Sequence, residues 1–259
     1  MKLVVSDLDG TLLLKYDSVG DYTIKTIRKL IDSGVEFAVA TGRGRQGVDF
    51  LIEKLQRNIY VICNNGASIY DKNGNCIYEK MISKDIAIEI LKAIRSEGVY
   101  YNAFDRENFY FDKTDPRDFT GRRKSFKRVP LESEEEIPNL SKIIITDKEE
   151  IVSKMSDIMR KKYSDKIEVT ISDPICVDLV PKDCSKGNGI KKIGEILGIE
   201  TCEVMAFGDG ENDLDMLRTV GHPVAMENSQ EILKKEIKNI ARPNVEEGVA
   251  KYIEEYFKF

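Results

Sequence analysis

A short apolar run near the start, Leu3-Val4-Val5, breaks off within two residues into a pair of carboxylates, Asp7 and Asp9, followed by Gly10-Thr11-Leu12. Near the other end, Val204-Met205-Ala206-Phe207 runs into Gly208-Asp209-Gly210-Glu211-Asn212-Asp213. Apolar runs of this kind, bounded by turn residues, read as strands buried on both faces. Between and beyond them the periodicity alternates. Ile24, Ile27, Leu30 and Ile31 recur at helical spacing and stop at Gly34, Val35 to Ala40 is a second strand, residues 46 to 57 form a helix, and Ile59 to Cys63 a third strand before the turn-like Asn64-Asn65-Gly66. Strand alternating with helix implies an α/β fold with a doubly wound parallel sheet. In such sheets ligands sit at the carboxyl ends of the strands, so neighbouring first and 203–207 strands would gather Asp7, Asp9, Asp209 and Asp213.

After about residue 82 the texture changes. Ser83 can cap a helix carrying Ile86, Ile90, Leu91 and Ile94, which stops at Gly98. Strand candidates follow at 99–104, 108–111, 142–146, 167–171 and 175–180, with a helix at 151–163 among them. The alternating pattern resumes at Lys186 with helix 188–197, strand 203–207, helix 211–219, strand 223–226 and a last helix from about 245 to 257. The expected organisation is therefore a core made of residues 1–82 and 186–259 and an inserted α+β unit of residues 83–185.

Carboxylates gathered at one sheet end repel unless a cation lies among them, and an all-oxygen donor set points to Mg²⁺ rather than zinc. The chain has a single histidine, His222, which leaves a histidine-based triad or metal site poorly supported. Five cysteines without a Cys-x-x-Cys pair argue against a disulfide framework and for reduced, mostly packing thiols. No apolar run approaches membrane-spanning length and no secretory signal pattern precedes the first strand, so a cytoplasmic location is expected. A formal net charge of -5 provides no field to draw nucleic acid or an anionic membrane. One basic stretch stands apart: Arg117, Arg122, Arg123, Lys124, Lys127 and Arg128, with Phe119 and Phe126, reads either as a solvated loop or as an anion-recognition loop.

Four separated blocks occur in order: Asp7-Leu8-Asp9-Gly10-Thr11, Thr41-Gly42-Arg43, Lys186-Gly187, and Gly208 to Asp213. Together they resemble the haloacid dehalogenase superfamily of aspartate-dependent phosphohydrolases, and within it the Cof-type sugar phosphatases. The resemblance spans nearly the whole chain and implies a Rossmann-like core with an inserted type IIB cap, with chain crossings near residues 82 and 185 that would let the cap close and choose the substrate. It also implies roles. Asp7 would attack phosphorus, and Asp9 would serve as general acid, then base, while its carbonyl ligates the metal. Mg²⁺ would lie on Asp7 and Asp209, with Asp213 completing or orienting the shell, although Asp213 also suits a helix N-terminus. Thr41 and Gly42 would approach a phosphate oxygen, Thr41 having a plain N-cap as its rival role. Lys186 would place an ammonium against phosphate and nucleophile, and Asn212 would touch substrate or satisfy backbone groups. Arg43 stays open between a substrate contact and a surface charge.

The implied function is Mg²⁺-dependent hydrolysis of a small phosphometabolite, a sugar phosphate, through an aspartyl phosphate. Phosphoglycolate phosphatase, phosphomutase and non-catalytic phospholigand binding are the alternatives. The partner is then a small phosphorylated molecule, with no nucleic acid or membrane and a monomer or homodimer left open. Asn64, Asn65 and Asp178 are further candidate contacts, each better served by a structural role.

Overall fold

A computed structural model of the chain describes residues 1–117 and 126–259. In chain order the elements are β1 (Leu3–Ser6), α1 (Asp21–Asp32), β2 (Glu36–Ala40), α2 (Asp49–Leu55), β3 (Tyr60–Cys63), β4 (Ser68–Tyr70), β5 (Cys76–Glu79), α3 (Lys84–Ser96), β6 (Asn102–Phe104), β7 (Asn108–Asp112) and β8 (Lys127–Leu131). There follow β9 (Lys142–Thr146), α4 (Glu149–Tyr163), β10 (Ile167–Asp173), β11 (Cys176–Pro181), α5 (Lys186–Leu197), β12 (Val204–Gly208), α6 (Leu214–Thr219), β13 (His222–Met226), α7 (Glu231–Glu236), β14 (Asn239–Ala241) and α8 (Gly248–Phe257). They divide between two compact units, Met1–Tyr78 with Ser185–Phe259, and Glu79–Cys184.

The first unit is built on an eight-stranded sheet of order β14-β13-β12-β1-β2-β3-β4-β5. From β14 to β3 every neighbouring pair is parallel, and β4 turns back antiparallel on β3. Successive side chains of a strand face opposite ways, so one run of apolar residues feeds two cores. Val4, Phe37, Val39, Val61, Met205 and Phe207 pack with α1, α2 and α8 through Ile27, Leu30, Leu51, Leu55 and Ile253. Leu3, Val5, Ala38, Ala40, Ile62, Val204 and Ala206 pack on the other face with α5, α6 and α7 through Ile190, Ile193, Leu217 and Leu233. This two-sided burial is what lets strands without alternation persist, and it is the doubly wound α/β fold expected.

The order of strands fixes where a site can form. From β1 the chain winds outward through β2 and β3 on one side, whereas β12, β13 and β14 lie on the other. The reversal falls between β1 and β12, paired in parallel with Ser6 beside Phe207, so their carboxyl ends open together.

The second unit is a six-stranded sheet of order β10-β11-β9-β6-β7-β8, antiparallel except for the parallel pair β7 and β8. Helices α3 and α4 cover one face, burying Ile90, Leu91, Ile94, Val152, Met155 and Met159 against Tyr101, Ala103, Ile143, Ile145, Val177 and Leu179. Phe104, Phe109 and Ile144, with Phe111, Phe126 and Cys176, cluster on the other.

Several segments differ from the periodicity reading. The helix over 46–57 is a 3-10 turn, Arg45–Val48, followed by α2, and left-handed Gln56 stops it at φ 49°. The strand expected at 99–104 is paired only over Asn102–Phe104, although Val99 and Tyr101 are buried. The last helix is interrupted at Glu247, whose left-handed backbone turns its carboxylate onto the amide and hydroxyl of Thr23. All five cysteines are free; Cys63 and Cys184 are buried, but Cys202 is exposed and does not serve packing. No described helix is long and apolar enough to cross a membrane. Of the basic stretch, Phe119, Arg122, Arg123 and Lys124 lie outside the described residues.

Candidate active site

Asp7 directly follows β1, and its amide donates to the Phe207 carbonyl of β12 at 3.0 Å, which ties the tip of one strand to its neighbour. The chain then turns sharply through Leu8–Leu12. Gly10 takes φ +80°, a conformation costly for residues with a Cβ, and a Cβ there would come within 2.3 Å of Asp209 Oδ2. Glycine therefore lets the β1 loop pass directly over the β12 carboxylate. The same turn delivers Thr11, whose hydroxyl donates to Asp209 Oδ1 at 2.7 Å. Asn228, from the loop after β13, donates to the Gly10 carbonyl at 2.8 Å and holds the turn from outside.

Lys186 is the first residue of α5 and is 1% exposed. Ser185 caps this helix, its hydroxyl accepting from the Asn188 amide at 3.0 Å and donating to Asp215 Oδ2 at 2.5 Å. From that anchored start the lysine reaches inward, and its Nζ donates to Asp7 Oδ1 and Asp213 Oδ1, both at 2.6 Å. A lysine is seldom buried unless it is paired, and here it is paired twice.

Asp213 meets the lysine with one oxygen and uses the other to accept the amides of Asp209 and Gly210 at 2.9 and 3.0 Å. It thus shapes the β12 loop that presents Asp209. One carboxylate oxygen from each of Asp7, Asp209 and Asp213 lies within 4.8 Å of the others. Burial pushes the Asp7 carboxyl well above its ordinary pKa, against the opposing pull of Lys186. Burial, helped by the charge of Asp213, pushes Asp209 up to about 6. For Lys186 burial acts to lower the pKa, but the Asp213 and Asp7 carboxylates outweigh it and hold the ammonium charged.

The other residues singled out from sequence fall in several places. Thr41, buried after β2, accepts the Arg43 amide on its hydroxyl at 3.1 Å, while its own amide donates to Ile62 and its carbonyl accepts from Asn65. Gly42 lies between Thr41 and Arg43 on the same loop. Asn212 donates to Asn65 Oδ1 at 3.4 Å, joining the loops after β12 and β3. Asn64 and Asn65 are buried, both left-handed at φ 51°. Asp9 stands apart: its side chain is 56% exposed and its carboxylate is held by Arg43. Asp178 lies in the second unit, where it pairs with buried Lys142 at 2.8 Å. His222 opens β13 at the amino end of the sheet, away from Asp209, and meets the Tyr252 hydroxyl at 2.9 Å.

Three contributors escaped the sequence reading. Thr11 was inside a recognised block, and its hydroxyl was the available signal. Asp17 and Asn228 carried none, because their roles depend on loops that fold back from elsewhere in the chain.

Residues 4–253 match the family model of the haloacid dehalogenase-like hydrolases. A protein of Streptococcus pyogenes serotype M6, provisionally named a phosphatase, is 31% identical over 264 residues, covering 99% of this chain and 98% of its own. An HMP-PP phosphatase of Yersinia pseudotuberculosis is 27% identical over 257 residues, covering 97% and 94%. A crystal structure of a haloacid dehalogenase-like hydrolase from Bacteroides thetaiotaomicron superposes with a TM-score of 0.86 at 25% identity, covering 99% of both chains.

Proposed function

Given that the chain belongs to the haloacid dehalogenase-like hydrolases and that relatives matching nearly its whole length are named phosphatases, we propose that it hydrolyses a small phosphorylated metabolite, a sugar phosphate, with Mg²⁺ and through an aspartyl phosphate on Asp7. The observation that carries this reading is the buried Lys186 bridging Asp7 and Asp213 beside Asp209, at the switch point between β1 and β12. Phosphoryl transfer asks for a positioned nucleophile, neutralised charge on the transferring oxygens and a proton for the leaving alcohol.

The donor set fits Mg²⁺. With a cation among them holding all three in the ionised form, the carboxylates against one ammonium would leave two negative charges, which a divalent cation would match, and every donor is a hard oxygen. Asp7 and Asp209 would hold it, with the Asp9 carbonyl. Asp213 would orient the shell, since its oxygens already serve Lys186 and two amides. When bound, the ion would lower the repulsion between a carboxylate nucleophile and a phosphate dianion.

In the first half-reaction an Asp7 oxygen forms a bond to phosphorus as the bond from phosphorus to the alcohol oxygen breaks. That electron pair leaves with the alcohol, which takes a proton from Asp9. In the second, Asp9 accepts a proton from water, the water oxygen bonds to phosphorus, and Asp7 departs as carboxylate. Lys186 keeps Asp7 oriented and opposes the burial that favours its neutral form, and the Thr41 hydroxyl with the Gly42 amide would meet a phosphate oxygen. Asn212 and Arg43 would border the substrate, and the inserted unit would act as the cap that selects it.

The test is phosphate release from sugar phosphates, phosphoglycolate, nucleotides and HMP-PP, with Mg²⁺ or EDTA, by wild type and Asp7→Asn. Metal-dependent release that Asp7→Asn abolishes is the expected result. Release that survives in Asp7→Asn would overturn the nucleophile, and isomerised product without free phosphate would turn the reading to a mutase.

A further inference from the structure

Resting on that reading, Arg43 invites a more specific role than a border residue. Its Nε donates to Asp9 Oδ2 at 2.7 Å and its Nη2 to Asp9 Oδ1 at 2.6 Å, a fork that engages both carboxylate oxygens of the acid–base residue. Its Nη1 donates to Asp17 Oδ1 at 2.5 Å and to the Gly47 carbonyl at 3.1 Å. The guanidinium also sits 5.9 Å from the Phe50 ring centroid.

A guanidinium has five N–H donors, of which these contacts use four. One N–H remains, too few to fork a phosphate while Asp9 is held. The arginine is itself fixed from behind, because its amide donates to the Thr41 hydroxyl and its carbonyl accepts from the Asn64 amide at 2.9 Å. Asp17 belongs to a tight loop closed by the Leu14 amide on the Ser18 carbonyl at 2.8 Å and the Ser18 amide on the Lys15 carbonyl at 3.0 Å. Without this arrangement Asp9 would be a half-exposed side chain on a turn, free to sample several rotamers. Exposed ion pairs contribute little to stability, so the consequence of the fork is orientation.

We propose that Arg43 is a positioning residue: it sets the direction of the Asp9 carboxylate, with Asp17 as its second anchor, and it is not a ligand of the substrate phosphate. Its effect on the reaction passes entirely through Asp9.

A kinetic cycle on the best substrate of the panel reads this out. Arg43→Ala is expected to lower kcat about 10- to 100-fold, the scale of a misplaced catalytic group, with KM changed less than about threefold. Arg43→Lys keeps the charge but not the fork and should stay within about threefold of Arg43→Ala. Asp17→Asn should lose a smaller part of kcat. In an Asp9→Asn background, Arg43→Ala should cost less than about twofold more, because the group it positions is already disabled. A KM, or an inhibition constant for inorganic phosphate, raised about tenfold or more with kcat retained would overturn the proposal, as would full additivity in the double variant. An independent readout is exchange of the Arg43 Nε proton with water by NMR, slow in wild type and at least about tenfold faster in Asp9→Asn. Equal exchange in both overturns the fork whatever the turnover, whereas activity surviving in Asp7→Asn with the exchange difference intact would fault the reaction assigned and leave the fork standing.

Discussion

Replacing Lys186 with methionine keeps most of the side-chain volume and removes the ammonium that lies 2.6 Å from both Asp7 and Asp213. At an effective dielectric near 20, each of those contacts represents roughly 6 kcal/mol of gross attraction. Desolvation of the three ions offsets much of it, so the useful quantity is the cost of breaking the triad from one side, about 3–5 kcal/mol for a buried pair stripped of its partner. The carboxylates left behind are 7% and 1% exposed, so bulk solvent compensates poorly for the lost ammonium. For a chain of this size about 2–4 °C of melting temperature accompanies each kcal/mol, which gives a fall of roughly 6–20 °C. Thermal unfolding followed by circular dichroism in EDTA measures it. Lys186→Met/Asp213→Asn, with one buried charge fewer, should recover part of the loss. A fall of less than about 2 °C, or a double variant less stable than Lys186→Met, would refute the reasoning.

Gly66→Ala should destabilise the fold by about 2–4 kcal/mol in denaturant titration, since residue 66 has φ +95° and a Cβ there would lie 2.1 Å from the Ser185 carbonyl oxygen. It should also slow turnover, because Ser185 caps the helix that carries Lys186; an effect under about 0.5 kcal/mol would contradict the contact. His222→Ala should leave kcat within about threefold of wild type, given its place at the opposite end of the sheet from Asp209. Burial holds the His222 imidazole below its ordinary pKa. As pH falls through about 6.5 the unfolded chain takes up the proton first, so stability present above that pH should decline toward acid, and less steeply in His222→Gln. An unchanged pH slope in His222→Gln would show that this group does not contribute.

Much of the core could be read from the sequence because it is doubly buried. Leu3-Val4-Val5 and Val204-Met205-Ala206-Phe207 are continuous apolar runs that end in acidic and glycine residues, and their short length and flanking turn residues mark them as buried strands. The short edge elements escaped. β4, β5, β8, β14 and α7 have three to six residues each, and β8 contains a proline, so none carries enough periodicity to stand out. The blocks place Asp7, Asp9, Asp209 and Asp213 at one sheet end; the structure brings Asp7, Asp209 and Asp213 together around Lys186, whereas the Asp9 carboxylate turns aside to Arg43. The direction of Asp9 was not legible, because it depends on Arg43 and Asp17 arriving from other loops. Asp213 could be read as metal ligand or helix acid, and its hydrogen bonds to Lys186 and to two loop amides could be learned only from the folded β12 loop.

The central claim is that Asp7 becomes covalently phosphorylated, and the most direct test is rapid acid quench of the enzyme turning over its best substrate with Mg²⁺, followed by peptide mass mapping. The account predicts a phosphoryl group on the amino-terminal peptide at Asp7, formed in a burst of at most one per active site and missing from Asp7→Asn. Stereochemical inversion at phosphorus, with no phosphoenzyme at any quench time, would contradict it and assign the attack directly to water.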